Sequence, residues 1–346
     1  MLMAAHLWDD IHVVGFHYKN LKERHMKHLY AVVFSLVTSL MGSLAFAAYP
    51  EQEVQLVVNY GAGGVTDVGS RLLAKALEKQ LKKPVVVANK PGAQATLGPA
   101  FVARAKPDGY TVGVVTYASI AMMPHLIEVP YTVNDFDWVG VFGRYRYGLV
   151  VNANSPYKTV AEFVNAAKQS PKPFFFGVPG APNNIAFFEL AKLSGAKFEQ
   201  VLYKSGTESV SAVASDQVAA TVQTPSEVLP QIESGRVRLL ASVSPERWSD
   251  KPDVPTMKEA GYDVTINSWM GLALPKGTPA DVRKRLETAL AQAMKDPELV
   301  NGLNSMGIDP VWMSGQTYKD KIIQGYKDMR PQLELTGQPL VKFKPN

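Results

Sequence analysis

A glycine-rich loop carries the clearest chemical signal in the chain. This first glycine loop, residues 60–67, reads Tyr-Gly-Ala-Gly-Gly-Val-Thr-Asp and follows a β-branched run at 54–59. Glycines let a ligand approach the backbone closely, and the N–H groups at a helix N-terminus attract anions through the positive end of the helix dipole. The pattern predicts that this loop suits a carboxylate, with Asp67 capping the helix, serving the site, or both.

Two familiar loops of this kind do not fit the sequence. The dinucleotide-binding fingerprint requires a third glycine where Thr66 stands, and the phosphate-binding loop requires a Lys followed by Ser or Thr. The chain meets neither condition. A purely structural turn, in which the glycines only make a tight bend and Asp67 only caps the helix, stays open as the alternative.

A second glycine loop, residues 177–184, reads Gly-Val-Pro-Gly-Ala-Pro-Asn-Asn and follows a predicted strand at 174–178. Asn183 and Asn184 stand where the next helix begins. Their side chains are expected either to cap that helix or to point their amides at a ligand. If the two loops face each other across a cleft, two helix N-termini would clamp a dicarboxylate from both ends.

The rest of the chain has the pattern of an α/β protein. Short β-branched runs alternate with helical patterns, which predicts mainly parallel sheets flanked by helices. The alternation stops near residue 150 and begins again, and the C-terminal third looks helical, with Thr278 as an N-cap candidate. We therefore predict two lobes: residues 49–150 plus 272–346, and residues 151–271.

Composition excludes several classes of protein. The chain has 346 residues, enough for two domains, and 46% of them are hydrophobic, so a sizeable core is expected. Its net charge is +5, but Lys and Arg are scattered singly, unlike the concentrated basic face of a nucleic-acid-binding protein. The chain has no cysteine, which excludes disulfides, thiolate catalysis and cysteine-ligated zinc. We expect no cofactor and no metal.

Catalysis is also unexpected. A serine hydrolase needs a base, most often His, and a nucleophile elbow of the form Gly-x-Ser-x-Gly. His125 is the only histidine after residue 28, it lies in a mostly apolar stretch, and no such elbow occurs. The chain is predicted not to be an enzyme.

The N-terminus predicts export. A charged stretch at 22–27 precedes an apolar run at 29–40, and Ala45-Phe46-Ala47 supplies the small residues that a signal peptidase reads. Residues 1–48 are therefore predicted to be a signal peptide cleaved near Ala47 or Ala48, with a retained membrane anchor as the alternative. Residues 1–25 are acidic for such a signal, which suggests Met26 as the true start.

Motifs in a fixed order carry a family resemblance. They are GAGGVTD at 61–67, NKPGA at 89–93, KPDGYTV at 106–112, a strand ending in Thr116, YKSG at 203–206, PDVPTMKEAGY at 252–262 and SWMGLALPKGTP at 268–279. Together, over residues 49–335, they resemble the substrate-binding proteins of tripartite tricarboxylate transporters, the Bug or TctC-like family.

The resemblance implies a periplasmic receptor with a type II-like periplasmic binding protein fold, a Venus flytrap whose lobes are joined by two crossing strands. It implies delivery of a small organic carboxylate to integral membrane subunits of the transporter, and a ligand carboxylate held by backbone N–H groups and water rather than by Arg. The implied ligand-binding residues are Tyr60, Ala62, Gly63, Gly64, Asp67, Thr116, Ser119, Gly180, Asn183, Asn184 and Tyr203. A monomer is the default expectation.

Departures from the family pattern leave alternatives open. Tyr60-Gly61 replaces the usual Phe-Pro, Tyr117 stands where relatives have a small residue, and Gln223 stands where they often have an acid. Tyr60 and Tyr117 either form an aromatic wall that favours a flat carboxylate or simply pack in the first lobe. The same fold would also suit a sensor subunit that presents its closed form to a membrane sensor kinase.

Overall fold

A computed structural model describes residues 49–342, so the predicted signal peptide at 1–48 lies outside the described residues. The chain from Gln52 onward is one compact unit. Its first segment alternates strands and helices in the order β1 (Val54–Val58), α1 (Val65–Leu81), β2 (Val85–Asn89), α2 (Leu97–Ala103) and β3 (Thr111–Thr116). A π-helical turn (Ala118–Met122), the short α3 (Met123–Leu126), a 3-10 turn (Val133–Asp135) and β4 (Phe136–Tyr145) follow.

The second lobe repeats this construction. Its elements are β5 (Gly148–Asn152), α4 (Val160–Gln169), β6 (Phe174–Val178), α5 (Asn183–Ser194), β7 (Phe198–Leu202), α6 (Gly206–Ala214), β8 (Ala220–Gln223), α7 (Pro225–Glu233) and β9 (Val237–Ser242). The chain then returns to the first lobe as β10 (Trp269–Pro275), α8 (Ala280–Ala293), α9 (Pro297–Ser305), β11 (Ile308–Asp309), β12 (Met313–Ser314) and α10 (Gly315–Glu334).

Each lobe contains one sheet that is mixed rather than mainly parallel. The first sheet has the order β11-β4-β10-β3-β1-β2, with β12 also paired to β4, and the second has the order β7-β6-β8-β5-β9. Strands β1, β2 and β3 are parallel to one another, as are β6, β7 and β8, whereas β10 runs antiparallel to β3 and β4, and β5 runs antiparallel to β8 and β9. The predicted parallel arrangement therefore holds only for the βαβ half of each sheet, because the strands next to the crossings reverse direction.

Two crossings join the lobes, as the resemblance implied. One runs from β4 to β5 through Arg146 and Tyr147, and the other enters β10. The Tyr145 N–H donates to the Ser268 carbonyl at 2.9 Å, and the Val243 N–H donates to the Tyr147 carbonyl at 2.8 Å. These bonds tie the crossings together, so they form a short two-stranded connection between the sheets.

Two elements were not predicted from the sequence, and one N-cap was assigned to the wrong residue. Strand β4 was not predicted, and eight of its ten residues are buried, which hides the alternation expected of a strand with one solvated face. Helix α4 was also missed, although Thr159 and Glu162 form a capping box at its start. Thr278 is not an N-cap; Pro279 takes that position, and the Thr278 N–H donates to Asp137 at 3.0 Å.

Within residues 49–342, no helix is both long enough and apolar enough to cross a membrane.

Candidate functional site

The carboxyl ends of the parallel strands in both sheets carry the predicted site loops. The first glycine loop follows β1, Thr116 ends β3 and Ser119 comes just after it, and the second glycine loop begins at the end of β6. In open α/β sheets, ligands bind outside the carboxyl ends of the strands where the strand order reverses. The two crossings lie between these edges, so the loops border a cleft between the lobes.

The first glycine loop offers unpaired backbone donors. Gly63 has φ +81°, a left-handed conformation that costs other residues about 1–2 kcal/mol. Gly64 is the N-cap of α1 and, lacking a side chain, leaves the helix without a side-chain cap. In the described part of the chain, the N–H groups of Gly64, Val65 and Thr66 have no acceptor. Gly64 is exposed, Val65 is half-buried and Thr66 is buried, so the free donors run from the surface of the loop into the start of the helix, an arrangement that suits an anion.

Asp67 braces this loop from inside. Its side chain is 2% exposed and accepts hydrogen bonds from the Gly63 N–H at 2.9 Å, Asn89 Nδ2 at 2.7 Å and Arg71 Nε at 3.0 Å. Burial raises the pKa of Asp67, but the hydrogen bonds outweigh it, so the pKa lies below its ordinary value. The ionised carboxylate thus fixes the conformation of the loop through protein donors.

The end of β3 forms a buried hydroxyl pair. Ser119 Oγ donates to the Thr116 carbonyl at 2.9 Å, and the Thr116 hydroxyl lies 3.2 Å from Ser119 Oγ. The half-buried Tyr60 contacts this pair through a hydrogen bond with Thr116. Burial raises the pKa of the Tyr60 phenol, and this hydrogen bond partly offsets the rise. Tyr60, Thr116 and Ser119 are therefore brought together beside the first glycine loop.

Two tyrosines at the first crossing lie near the candidate site, and the sequence reading did not single them out. The Tyr145 hydroxyl lies 2.5 Å from Thr66 Oγ1, at the start of α1. Burial raises the pKa of Tyr147, as does the nearby Tyr60, while a hydrogen bond with Ser268 partly offsets the rise. The alternating sequence Arg-Tyr-Arg-Tyr at 144–147 was a readable signal, but it needed β4 to be recognised as a strand.

The arginines of this alternation face away from the tyrosines. Arg144 and Arg146 both pair with Asp309 of the first lobe, and they reach Glu246 and Asp250 of the second lobe respectively. Since these guanidinium groups have carboxylate partners behind the crossing, they do not provide a cation to the cleft.

The second glycine loop is built differently from the first. Gly180 has φ +135°, and a side chain there would meet no protein atom within 4 Å. Helix α5 has Pro182 as its N-cap and no side-chain cap, so the expected capping by Asn183 or Asn184 is wrong. Both amides are buried and donate within their own lobe, Asn183 to the Val222 carbonyl at 2.6 Å and Asn184 to Gln200 at 3.0 Å.

Aromatic residues near the loops have mainly packing contacts. The Tyr203 ring covers Gly177, where an added Cβ would lie 2.7 Å from Cε2. Tyr117 is buried in the first-lobe core, edge-on to Trp269 with ring centroids 5.2 Å apart, and burial raises its pKa to about 12. Of the two tyrosines considered for an aromatic wall, Tyr117 packs and only Tyr60 remains half-buried beside the cleft.

The described residues include no cluster of His, Asp or Glu that is placed to hold a metal ion. The candidate site therefore consists of backbone donors and hydroxyls at the strand ends of the first lobe, with the second glycine loop at the strand ends of the other lobe, and this construction suits a solute-binding protein.

Similarity to known proteins identifies the family of solute-binding proteins to which the chain belongs. The family model described as "Tripartite tricarboxylate transporter family receptor" matches residues 70–333, so the chain belongs to this family, and the resemblance is confirmed. Its receptors are periplasmic solute-binding proteins rather than enzymes.

Individual relatives agree with this assignment. A Cupriavidus necator protein, "UPF0065 protein in gbd 5'region", is 33% identical over 292 residues, which are 84% of this chain and 89% of the relative. A TctC solute-binding protein from Polaromonas has a TM-score of 0.74 at 28% identity, covering 83% of this chain and 99% of its own. R. palustris Rpa4515, solved with adipate, has a TM-score of 0.72 at 26% identity, covering 84% and 98%.

Proposed function

We propose that this protein binds one small organic carboxylate between its lobes and delivers it to the integral membrane subunits of a tripartite tricarboxylate-type transporter. The observation that carries the proposal is the first glycine loop, where exposed glycines precede a helix of 17 residues that has no side-chain cap and whose first N–H groups have no acceptor among the described residues. Adipate in the similar protein Rpa4515 supports a carboxylate as the ligand class.

The proposed contacts centre on the first glycine loop. The free N–H groups from Gly64 to Thr66 would hold the carboxylate, next to Ala62, while Asp67 would keep the loop in shape through its bond with the Gly63 N–H. Closure would then add contacts from the second lobe and exclude water. The proposed lining is completed by Tyr60, Thr116, Ser119, Gly180, Asn183, Asn184 and Tyr203.

The cellular setting belongs to the same proposal. The protein would be exported across the inner membrane after cleavage near Ala47 or Ala48, and would act as a monomer. Its lobes would be residues 49–150 plus 272–346 and residues 151–271, moving about the two crossings. Lobe closure around a ligand gives the transporter a conformation that it can distinguish from the open, unliganded one.

A thermal-shift panel tests the binding step. A ligand that binds only the folded protein raises the melting temperature by mass action. Aliphatic and aromatic mono-, di- and tricarboxylates should include at least one that raises the melting temperature, with calorimetry confirming a single site. No shift across the panel would contradict the proposed ligand class.

Recovery of partners from native membranes tests the delivery step. The ligand-loaded protein, used as bait, should recover integral membrane subunits of a transporter. Recovery of a membrane sensor kinase alone would assign the protein to sensing instead.

A further inference from the structure

A cavity at the far end of the first sheet has no role in the proposed function. It has a volume of about 210 Å³ and lies beside the start of β4, between α8 and the start of α10. Phe136 of β4 pairs there with Pro275, whereas the crossings lie at the opposite end of the same strands, where Arg144 pairs with Trp269. Most of the ten residues of β4, at about 3.3 Å each, therefore separate this α8–α10 cavity from the cleft.

Three cationic side chains line the α8–α10 cavity. Lys276 comes from the turn after β10, Arg283 from α8 and Lys319 from α10. The three residues are far apart in the sequence, so the fold, rather than a basic run, gathers this positive charge in one place.

Asp137 holds two of these cations beside the cavity. Its side chain is 7% exposed and accepts hydrogen bonds from the Gly277 N–H at 2.8 Å and the Thr278 N–H at 3.0 Å, so it fixes the turn that carries Lys276. Lys276 Nζ lies 3.2 Å from this carboxylate, and Arg283 Nη1 lies 3.6 Å from it. Because two cations share one carboxylate that also accepts from two N–H groups, part of their positive charge is not neutralised.

Lys319 has no acidic partner at all within residues 49–342. It is half-buried, and its ammonium makes no ion pair with Asp or Glu. The other carboxylate that lines the cavity, Glu287, lies 3.4 Å from Lys284 of the same helix. A partly desolvated ammonium without a counter-ion is unfavourable, and an anion in the cavity would relieve that cost.

Backbone donors at the start of α10 line the same cavity. Strand β12 pairs with β4 only at Gly140 and Val141, and before that point the first turn of α10 packs on β4 instead. Gly315 allows this close approach, because an added Cβ would collide with the Trp138 carbonyl. In the part of the chain that the structure describes, the N–H groups of Gly315 and Gln316 have no acceptor.

Trp138 is a further donor without a partner. It lines the cavity and is 6% exposed, and its indole Nε1 makes no hydrogen bond to any described residue. An indole N–H can only donate, and a buried donor normally has an acceptor. The donors around this cavity are therefore in excess of the acceptors that the protein provides.

We propose that the α8–α10 cavity binds a phosphate group, supplied either by inorganic phosphate or by a phospholipid headgroup. Cations and N–H donors from three elements suit an anion with several oxygens, which a phosphate has and a monocarboxylate lacks. Arg binds phosphate through parallel N–H bonds, and Lys binds it as a point charge. The cavity is smaller than the about 300–1,000 Å³ of pockets for larger organic ligands, so it suits an ion or a headgroup. This site is independent of the proposed carboxylate site in the cleft.

Calorimetry with inorganic phosphate on the purified protein tests the site. Low ionic strength is used, because salt screens partly exposed charges. Phosphate should bind with about millimolar affinity or tighter. Lys319→Gln removes the ammonium without breaking an ion pair of the described residues and should weaken phosphate binding about fivefold or more, with an unchanged acetate titration. Thermal melts check that this variant keeps its fold.

Two further variants are the controls. Lys327→Gln makes the same change at an exposed position further along α10 that does not line the cavity, and it should leave phosphate affinity unchanged. Gly63→Ala alters the first glycine loop and should also leave phosphate affinity unchanged, because the cavity lies at the other end of the first sheet.

Co-sedimentation with vesicles separates the two sources of phosphate. Vesicles of phosphatidylglycerol carry an anionic phosphate headgroup, and vesicles of phosphatidylcholine carry the same phosphate neutralised by choline. Binding to phosphatidylglycerol that Lys319→Gln weakens and Lys327→Gln does not would assign the site to a lipid headgroup. Binding of inorganic phosphate with the same dependence on Lys319, and no binding to vesicles, would assign it to the free ion.

The inference is overturned if Lys319→Gln changes neither phosphate affinity nor sedimentation with phosphatidylglycerol. Equal losses in Lys319→Gln and Lys327→Gln would overturn it as well, because they would show a general effect of surface charge. Loss of phosphate binding in Gly63→Ala would place the phosphate in the cleft and also contradict it. None of these results bears on whether a carboxylate binds to the first glycine loop, so the proposed function is tested separately.

Discussion

At the residue scale, the two lobes use acidic side chains in opposite ways. Asp67 is buried, and its carboxylate accepts hydrogen bonds from three protein donors, so it shapes the first glycine loop. Glu227 is half-buried, and one of its carboxylate oxygens accepts hydrogen bonds from Thr224, the N-cap of α7. The type of residue alone does not distinguish these roles, because the distinction lies in which donors the fold brings to each oxygen.

Replacing Asp67 with Asn tests the bracing role. The loss of charged hydrogen bonds should lower the free energy of unfolding by about 1–3 kcal/mol at pH 7. Because the folded-state pKa is lowered, this stabilisation is full above the ordinary Asp value near 4 and is lost as pH falls through the lower folded value. Urea unfolding should show the gap between wild type and variant closing in acid. A gap of equal size at every pH would contradict an ionised Asp67.

Replacing Gly63 with Ala separates backbone strain from binding. Gly63 has φ +81°, and Gly195, at the end of α5, has φ +73°; an added Cβ meets no atom within 4 Å at either position. Both Ala variants should therefore lose about 1–2 kcal/mol of stability. Only Gly63→Ala should also weaken ligand binding, by about tenfold or more in calorimetry. Equal affinities for the two variants would remove the first glycine loop from the site.

At the element scale, the site is positioned by strand ends and by one crossing. The first glycine loop, its strand and its helix were predictable, because glycines between a β-branched run and a helical pattern leave few alternatives. The positions of Tyr145 and Tyr147 were not predictable, because β4 is too buried to show the alternation of apolar and polar residues by which a strand is recognised. Capping by Asn183 or Asn184 was one of two alternatives, and it does not occur. The Asn183 amide donates instead to the Val222 carbonyl of β8, and the Asn184 amide donates to Gln200 of β7.

Replacing Tyr145 with Phe tests whether the crossing supports the loop. The change removes the hydroxyl that contacts Thr66 and should weaken ligand binding about two- to tenfold, the value of one hydrogen bond. Tyr318→Phe is the control, because that hydroxyl donates to the Val115 carbonyl in the first-lobe core at 3.0 Å. Calorimetry should show lost affinity only for Tyr145→Phe; similar losses in both variants would indicate a general effect on the first lobe.

At the scale of the whole molecule, charged groups behind the crossing tie the lobes together. Arg146 is 2% exposed and reaches Asp250 at 2.7 Å, Asp309 at 3.6 Å and the Asn304 carbonyl at 3.4 Å. Removing a partner of a buried charge is costly, because the remaining charge stays desolvated. Breaking this network is therefore expected to cost more stability than breaking an exposed ion pair of either lobe.

Asp309→Ala should lower the free energy of unfolding by about 1–3 kcal/mol, because it removes one carboxylate from both Arg144 and Arg146, each of which keeps a second acidic partner. Asp263→Ala is the comparison, because Asp263 pairs with Lys258 at 3.6 Å with both side chains about three-quarters exposed. Such a pair contributes about 0–1 kcal/mol. Chemical denaturation of both variants should reproduce this order, and equal losses would show that burial of Arg146 adds nothing.

The central claim is that backbone donors of the first glycine loop hold a ligand carboxylate. Calorimetry of the best ligand beside the methyl ester of that carboxylate tests it most directly, because the ester keeps the carbon skeleton and removes the negative charge. We expect the acid to bind and the ester to lose at least a hundredfold in affinity. An ester that binds as tightly as the acid would contradict the claim.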